Sequence, residues 1–176
     1  MVVCPQCGVE NPDGFRFCGG CASPLAATHS AERRERRVVS VVFADLVGYT
    51  RRSERLDVED VEQFLAPYRA MLAGCVERTG GVVAKFTGDG VMALFGGLVA
   101  HEDDAERAVR CGLMIRDGLA EAEADPGDDR LQVRVGVTTG EALVSVTGET
   151  SVDAVGDVVN TAARLESAAP VDGVLV

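Results

Sequence analysis

The segment "VVSVVFAD", residues 38–45, decides the fold of this 176-residue chain. An apolar, β-branched run of this length predicts a buried central strand, and the strand ends on the carboxylate of Asp45. The charge balance changes at the same point. Residues 1–37 carry five basic and four acidic side chains, whereas the remainder carries twelve basic and twenty-four acidic ones. We therefore expect residues 38–176 to form the main, acidic domain.

This main domain alternates predicted strands and helices. After the first strand, the segments are a helix in "DVEDVEQFLAPYRAMLAGCVERTGG" (57–81), strands "GVVAKF" (81–86) and "VMALFG" (91–96), a helix over about 102–123, a strand pair "LQVRVGVTTG" (131–140) and "EALVSVTG" (141–148), a helix in "GDVVNTAARLESAA" (156–169) and a strand "GVLV" (173–176). The order predicts an α+β fold, a sheet with helices packed on it. In the first helix we expect Asp57 as N-cap, a kink at Pro67 and a stop at Gly80.

Four of the six cysteines lie in the first 21 residues, in the pattern C-x2-C-x10-C-x2-C. Two such turns each point two thiolates at one centre, which completes the tetrahedral sulfur shell of Zn²⁺. Residues 1–25 are therefore predicted to form a zinc ribbon with the ligands Cys4, Cys7, Cys18 and Cys21. Disulfides are disfavoured because no secretory signal is visible. Cys75 and Cys111 lack metal-ligand spacing, so we expect them to be buried as small apolar residues.

Residues 26–37 are interpreted as a charged linker, in which "AERRERR" forms a solvated helical turn. The acidic main domain lacks the cationic surface that gives proteins affinity for nucleic acid, so we expect no nucleic-acid partner there. Without a secretory signal or an apolar run of roughly 20 residues, we expect a cytoplasmic protein that does not cross a membrane. The ribbon could bind a protein, bind nucleic acid or only stabilise the N-terminus.

Two pairs of polar residues are candidates for chemistry. Asp45 ends the first strand and Asp89 lies in the turn "TGDG"; if these elements are neighbours, both carboxylates emerge at one sheet edge and can hold hard cations. The alternative is that Asp89 only forms the turn. Asn160 and Arg164 share one helix face and could hold a ribose and a phosphate, or be a solvent-facing polar pair.

From about Val38 onward, the chain resembles the catalytic domain of the class III nucleotidyl cyclases, the adenylyl and guanylyl cyclases. The resemblance rests on "VVFADLVGYT", "KFTGDGVMALFG", "VRVGVTTGEALV" and "VGDVVNTAARLE", in that order. It implies a ferredoxin-like βαββαβ-type cyclase sheet. The family's domain continues through a further helix and strands, so we expect this domain to be C-terminally incomplete.

The resemblance also implies a role for each matched residue. Asp45 and Asp89 match the aspartates that hold two Mg²⁺ or Mn²⁺ ions per site, and Leu46 offers a carbonyl to a metal. The loop that cradles the phosphates matches residues 46–50, including Val47, Gly48, Tyr49 and Thr50. Asn160 would orient the ribose, and Arg164 would stabilise the charge that develops at the α-phosphate.

The pair that reads the base matches Lys85, which is the only lysine of the chain, and Asp153. An ammonium can donate to N1 of adenine, while a carboxylate accepts from its N6 amine. Guanine reverses both roles, and mismatched buried polar groups cost several kcal/mol. The pair therefore predicts ATP as substrate and cyclic AMP as product, with a guanylate cyclase as the alternative.

In this family the site lies across a dimer interface, with the two aspartates from one subunit and the other four residues from its partner. All six matched residues are present in this chain, so the resemblance implies a homodimer with two complete sites. The alternative from a different class is a non-catalytic interaction module, in which the ribbon and a cyclase-like domain serve assembly or regulation.

Overall fold

The computed structural model describes the chain over residues 1–25, 33–48, 57–121, 131–147 and 151–176. It divides into two compact units, Met1–Glu32 and Arg33–Val176. In the small unit, strands β1 (Val2–Val3) and β2 (Glu10–Asn11) pair antiparallel. Cys4, Cys18 and Leu25 are buried together beside them and form a small core.

The order of strands and helices in the large unit matches the predicted one except at the second strand pair, because the strand Ser151–Val155 lies outside every predicted element. In chain order its elements are β3 (Arg33–Leu46), α1 (Val58–Arg78), β4 (Val82–Thr87), β5 (Gly90–Phe95), α2 (Asp104–Glu121), β6 (Val133–Thr147), β7 (Ser151–Val155), α3 (Asp157–Ala168) and β8 (Gly173–Leu175). The predicted α+β fold is confirmed. Within the described ranges, no helix is long and apolar enough to span a membrane.

Strand β3 lies at the centre of the main sheet. The strand order is β4-β5-β3-β6-β7, and β8 pairs with β6 in parallel while the other pairs are antiparallel. Val41 and Val42 of β3 point to opposite faces, and neither side chain is exposed to solvent. Because both faces are covered, the strand is continuously apolar rather than alternating.

Two buried clusters lie on the two faces of the sheet. Helices α1 and α2 cover one face with Leu65, Tyr68, Leu72, Cys75, Val76, Ala108, Cys111, Ile115 and Leu119. Helix α3 covers the other face with Val158 and Ala162. Each fully buried aliphatic side chain contributes about 1.5–3 kcal/mol to folding. The prediction that Cys75 and Cys111 are buried is confirmed.

Helix α1 begins and ends where the sequence predicts. Asp57 occupies the N-cap position, although its side chain makes no capping hydrogen bond. The helix ends at Arg78, and Gly80 follows with a φ of 76°, a left-handed conformation that glycine adopts without steric cost. Pro67 lies inside the helix, where it lacks an N–H to donate to the preceding turn.

The charged segment before Val38 is a strand, so the predicted helical turn is wrong. Residues 33–37 belong to β3 and pair with β6, from Arg33 opposite Val146 to Arg37 opposite Ala142. The Arg37 guanidinium contacts Glu35 at 2.8 Å and donates to the carbonyl oxygen of Leu98 at 2.9 Å. Backbone pairing with the long strand β6 therefore outweighs the local charge pattern.

Strand β6 is also longer than predicted. It runs without interruption from Val133 to Thr147, so the predicted division at Gly140 and Glu141 is wrong, and its antiparallel hairpin partner is β7. Gly140 serves packing instead of a turn, because a Cβ there would lie 3.3 Å from the Val158 side chain of α3. At Gly136 a Cβ would lie 2.3 Å from the Glu166 backbone nitrogen, so α3 contacts β6 directly at this glycine.

Candidate active site

The two aspartates meet where β3 ends and β5 begins. Asp45 is the penultimate residue of β3, and Asp89 lies in the turn that connects β4 to β5. Since β3 and β5 are antiparallel neighbours, with Ala44 opposite Val91, this turn lies beside the end of β3. The two carboxyl groups lie close enough to act on each other electrostatically. A Cβ at Gly90 would lie 2.8 Å from Asp45 Oδ1, so the glycine makes room for the carboxylate.

The pKa values of both carboxyl groups are raised, so a nearby positive charge would stabilise their ionised forms. Burial, and then the negative charge of Asp89, raises the pKa of Asp45 to about 6. Burial also raises the pKa of Asp89. The backbone N–H of Leu46 donates to both carboxylates and partly offsets the effect. Paired carboxylate oxygens at a half-buried position are the donor set that hard cations such as Mg²⁺ and Mn²⁺ prefer.

Sequence reasoning did not identify two further charged residues near this pair. Glu166 of α3 has a pKa raised by burial, and it acts electrostatically on both Asp45 and Asp89. The Arg134 guanidinium lowers the pKa of Glu166, and Arg134 lies opposite Asp45 on β6. The sequence signal that could have identified Glu166 is its spacing. It lies four residues after Ala162, and therefore on the same inner side of α3 as this buried residue.

Lys85 of β4 and Asp153 of β7 form an ion pair, although these two strands lie at opposite ends of the main strand order. Lys85 Nζ lies 3.4 Å from Asp153 Oδ1. The sheet is thus curled, and its edge strands approach each other here. About half of each side chain is exposed, at 48% and 53%. An exposed pair of this kind adds little stability, so both groups can exchange their contact for a ligand.

Asn160 and Arg164 lie on the solvent-exposed side of α3. Arg164 Nε donates to the Asn160 carbonyl oxygen at 3.3 Å, and its guanidinium lies 3.8 Å from Asp157 while remaining 73% exposed. In the part of the chain that the structure describes, no hydrogen bond or ion pair joins this group to Asp45, Asp89, Lys85 or Asp153. One chain therefore presents three separate groups of predicted site residues.

The predicted phosphate loop is described only at its start. Val47 and Gly48 form a turn after β3, where the Val47 N–H donates to the Gln132 carbonyl oxygen at 2.8 Å. Gly48 has a φ of 79°, which favours glycine at this position. Tyr49 and Thr50 lie outside the described residues.

The four N-terminal cysteines converge on one point. Their sulfur atoms all lie within 4.8 Å of one another, with Cys4 Sγ 3.7 Å from Cys21 Sγ and Cys7 Sγ 3.5 Å from Cys18 Sγ. Tetrahedral zinc with Zn–S bonds of about 2.3 Å places its sulfur ligands roughly 3.8 Å apart. The Gly20 N–H lowers the pKa of Cys18 to about 6, which favours the thiolate. The cluster is therefore compatible with a zinc site.

Over residues 31–176 the chain matches the family described as the adenylate and guanylate cyclase catalytic domain, and it belongs to that family. This confirms the resemblance on which the residue roles depend. Residues 2–26 match a separate domain of unknown function, DUF7577. The cysteine unit therefore lies outside the catalytic match.

Both adenylate and guanylate cyclases are similar to this chain. An adenylate cyclase of Streptomyces coelicolor is 34% identical over 152 residues, which are 86% of this chain and 35% of the relative. The crystal structure of the adenylyl cyclase CyaB from P. aeruginosa superposes with a TM-score of 0.68 at 30% identity, covering 81% of this chain and 77% of that one. The guanylyl cyclase Cya2 gives a TM-score of 0.68 at 34% identity, covering 76% and 71%.

The first prediction concerns the charge of the carboxylate pair. In buffer without Mg²⁺ or Mn²⁺, the Asp45→Asn variant should gain stability relative to the wild type as the pH rises from 5 to 7. The folded protein retains the Asp45 proton up to a pKa of about 6, whereas the unfolded chain loses it near 3.8. Between these values the folded state binds more protons, so the wild-type free energy of unfolding falls as the pH rises.

The urea unfolding midpoints of both proteins at pH 5, 6 and 7 check this expectation. The asparagine amide does not titrate, so the difference between the two proteins isolates the Asp45 contribution. A difference that stays constant over this range contradicts the electrostatic description of the pair.

Proposed function

We propose that this chain is an adenylate cyclase module that converts ATP to 3′,5′-cyclic AMP and pyrophosphate at a homodimer interface. The observation that carries the proposal is the half-buried Asp45–Asp89 carboxylate pair. Its two members match the motifs that the resemblance assigns to the metal-binding aspartates of the family. The chain spans 35% of the Streptomyces coelicolor relative and 14 to 23% of three other relatives. The proposal therefore concerns the catalytic step that this part can perform.

Asp45 and Asp89 would hold two Mg²⁺ or Mn²⁺ ions. When bound, such ions supply positive charge for the triphosphate and lower the pKa of the ribose 3′-hydroxyl. The chain itself has an acidic main domain, with twenty-four acidic and twelve basic side chains from Val38 onward. The site therefore depends on cations to attract ATP. The backbone of residues 46–50 would cradle the phosphates.

Substrate choice rests on Lys85 and Asp153. The 3.4 Å contact between Nζ and Oδ1 places one donor and one acceptor side by side, and the edge of adenine presents the complementary adjacent pair, the N1 acceptor and the N6 amine. Adenine would replace the exposed ion pair with two matched hydrogen bonds. Guanine would set its N1–H against the ammonium and its O6 against the carboxylate, so the pair favours ATP over GTP.

The chemical step is an intramolecular displacement at the α-phosphorus. The ribose 3′-oxygen forms a bond to phosphorus as the bond from the α-phosphorus to the bridging oxygen breaks. The electron pair leaves with pyrophosphate, and the hydroxyl proton passes to solvent. Asn160 would orient the ribose, and the Arg164 guanidinium would stabilise the charge that develops at the α-phosphate.

A homodimer would unite the three groups of site residues. Asp45 and Asp89 from one protomer would face Lys85, Asp153, Asn160 and Arg164 of its partner. The 73% exposure of Arg164 supports this arrangement, because within the described residues its guanidinium makes only a 3.8 Å contact with Asp157 and one hydrogen bond to a backbone carbonyl. Such an interface would form two equivalent sites by symmetry.

The N-terminal unit would hold one structural Zn²⁺ ion through Cys4, Cys7, Cys18 and Cys21. The measured sulfur separations support this assignment. N–H groups of Gly20 and Asn11 point at Cys18 Sγ, at 3.3 and 3.6 Å, and would orient this ligand. A protein partner for this unit and a cytoplasmic location stay predictions.

The second prediction is catalytic. With Mn²⁺, purified protein should produce cyclic AMP from ATP, with a preference over GTP of at least about 10²-fold in kcat/KM, because guanine mismatches two hydrogen bonds. Chromatographic quantification of both cyclic nucleotides checks the result. Cyclic GMP as main product contradicts the base-reading role of Lys85 and Asp153. A confirmed dimer without any product favours the non-catalytic interaction module.

The third prediction tests the shared site. Asp45→Ala and Arg164→Ala chains should each be inactive, yet an equal mixture should recover about one quarter of wild-type activity. Half of the dimers are then mixed, and one of their two sites carries neither change. A mixture of Asp45→Ala and Asp89→Ala is the matched control, because both of its sites lack an aspartate. Verified mixed dimers without recovery contradict the arrangement.

The fourth prediction concerns zinc. The purified chain should contain about one Zn²⁺ ion, and Cys18→Ser should lose it because three sulfur ligands remain. Atomic absorption measures the metal content. Cys75→Ser is the control, since Cys75 is buried in the large unit and should leave the zinc content unchanged. Equal zinc content in the wild type and the Cys18→Ser variant contradicts the assignment.

A further inference from the structure

The hydroxyl group of Tyr68 is buried and has no partner in the part of the chain that the structure describes. Tyr68 lies in α1 and its side chain is 4% exposed, and among the described residues no group shares a hydrogen bond with its Oη atom. Buried hydroxyl groups are nearly always hydrogen-bonded in native proteins, because an unpaired one loses its bonds to water. The other buried residues on this helix face, Leu65, Leu72, Cys75 and Val76, need no such bond. The hydroxyl therefore requires a specific explanation.

The turn of α1 that carries Tyr68 packs near the two segments that hold the carboxylates. Tyr68 packs in the same cluster as Ala44 and Leu46, the two neighbours of Asp45 in β3. The next residue, Arg69, donates from its guanidinium to the Gly88 carbonyl oxygen at 2.9 Å and lies over the Phe86 ring, 5.7 Å from its centre. These contacts hold this turn of α1 against the hairpin that carries Asp89.

The electrostatic environment agrees with this placement. Burial raises the pKa of Tyr68, and the negative charges of Asp45 and Asp89 raise it further. The phenol therefore keeps its proton at neutral pH and can act as a hydrogen-bond donor. The two carboxylates that act on it electrostatically are strong acceptors.

We propose that Tyr68 is a positioning residue for the metal site, whose hydroxyl donates to a carboxylate oxygen of Asp45 or Asp89 when a divalent cation is bound. This inference rests on the proposed metal-binding role of the two aspartates. The hydroxyl has no acceptor among the described residues, and it lies on the turn of α1 that contacts the Asp89 hairpin through Arg69 and Gly88. Carboxylate ligands of a metal ion commonly accept a further hydrogen bond from a neighbouring donor, and Tyr68 would supply that donor.

This role explains why the hydroxyl is tolerated in the core. In the absence of metal it is an unsatisfied buried group, which lowers stability. With metal present, the hydrogen bond fixes one carboxylate in the orientation for coordination, as partners of metal ligands commonly do. Tyr68 thus couples the packing of α1 to the geometry of the metal site without touching the substrate.

The fifth prediction tests Tyr68 with Mn²⁺ alone as the probe, on the full zinc-loaded chain. Tyr68→Phe should unfold at the same or a higher temperature than the wild type when Mn²⁺ is absent, because only an unpaired hydroxyl is removed. Its Kd for Mn²⁺, from the electron paramagnetic resonance signal of free Mn²⁺, should rise roughly tenfold, as expected for loss of a charge-assisted hydrogen bond. At any given concentration, Mn²⁺ should stabilise the wild type more than the variant.

Cys75→Ala is the matched control. It removes one buried atom from the same helix face, two turns away, next to Met71 and Arg78 rather than the carboxylates. It should lower the unfolding temperature equally with and without Mn²⁺ and leave the Kd unchanged.

Two results overturn the role of Tyr68 alone: a Kd for Mn²⁺ equal to that of the wild type, or an equal loss of stability with and without Mn²⁺, which defines a purely structural role. If the wild type itself binds no Mn²⁺ and Asp45→Ala changes nothing, the metal site is overturned and the Tyr68 proposal with it. These outcomes are distinguishable because the first two require normal metal binding by the wild type.

Discussion

The structure depends on the burial of β3 between β5 and β6. The strand is paired along both edges and covered on both faces, and it ends at Asp45 and Leu46. Its antiparallel register with β5 brings the turn that carries Asp89 next to Asp45 at the end of β3. A strand that is paired on both edges and buried on both faces thus sets the separation of two carboxylates, which a metal site must hold within narrow limits.

The site around Asp45 and Asp89 lowers the stability of the folded protein when no cation is bound. Asp45, Asp89 and Glu166 bring three carboxylates into mutual electrostatic contact, and Tyr68 adds an unpaired hydroxyl beside them. Each of these features opposes folding when no cation is present, because like charges repel and buried polar groups lose water. A bound cation would relieve the repulsion. Apolar packing of α1 and α2 against the sheet offsets the cost.

The curvature of the sheet and the position of α3 separate the remaining site residues from the carboxylates. Curling brings Lys85 to Asp153, while the contact of α3 with Gly136 and Gly140 leaves Asn160 and Arg164 on the exposed side of the helix. Helix α3 has Glu166 on its inner side and Arg164 on its outer side. In a dimer with shared sites, this helix would connect the metal pair of one site to the phosphate-binding arginine of the other.

The sequence by itself determined the α+β fold, the three helices, the cysteine cluster and the residues that match the cyclase family, because periodicity and motif spacing are local properties. It misplaced the start of β3 and divided β6 at Gly140, since strand length depends on the partner strand, and the glycine is needed by a helix that packs from elsewhere in the chain. Only the tertiary structure decided that Tyr68 and Glu166 lie near Asp45. Such contacts join distant segments, and their strength depends on burial, which arises when the sheet and helices pack together.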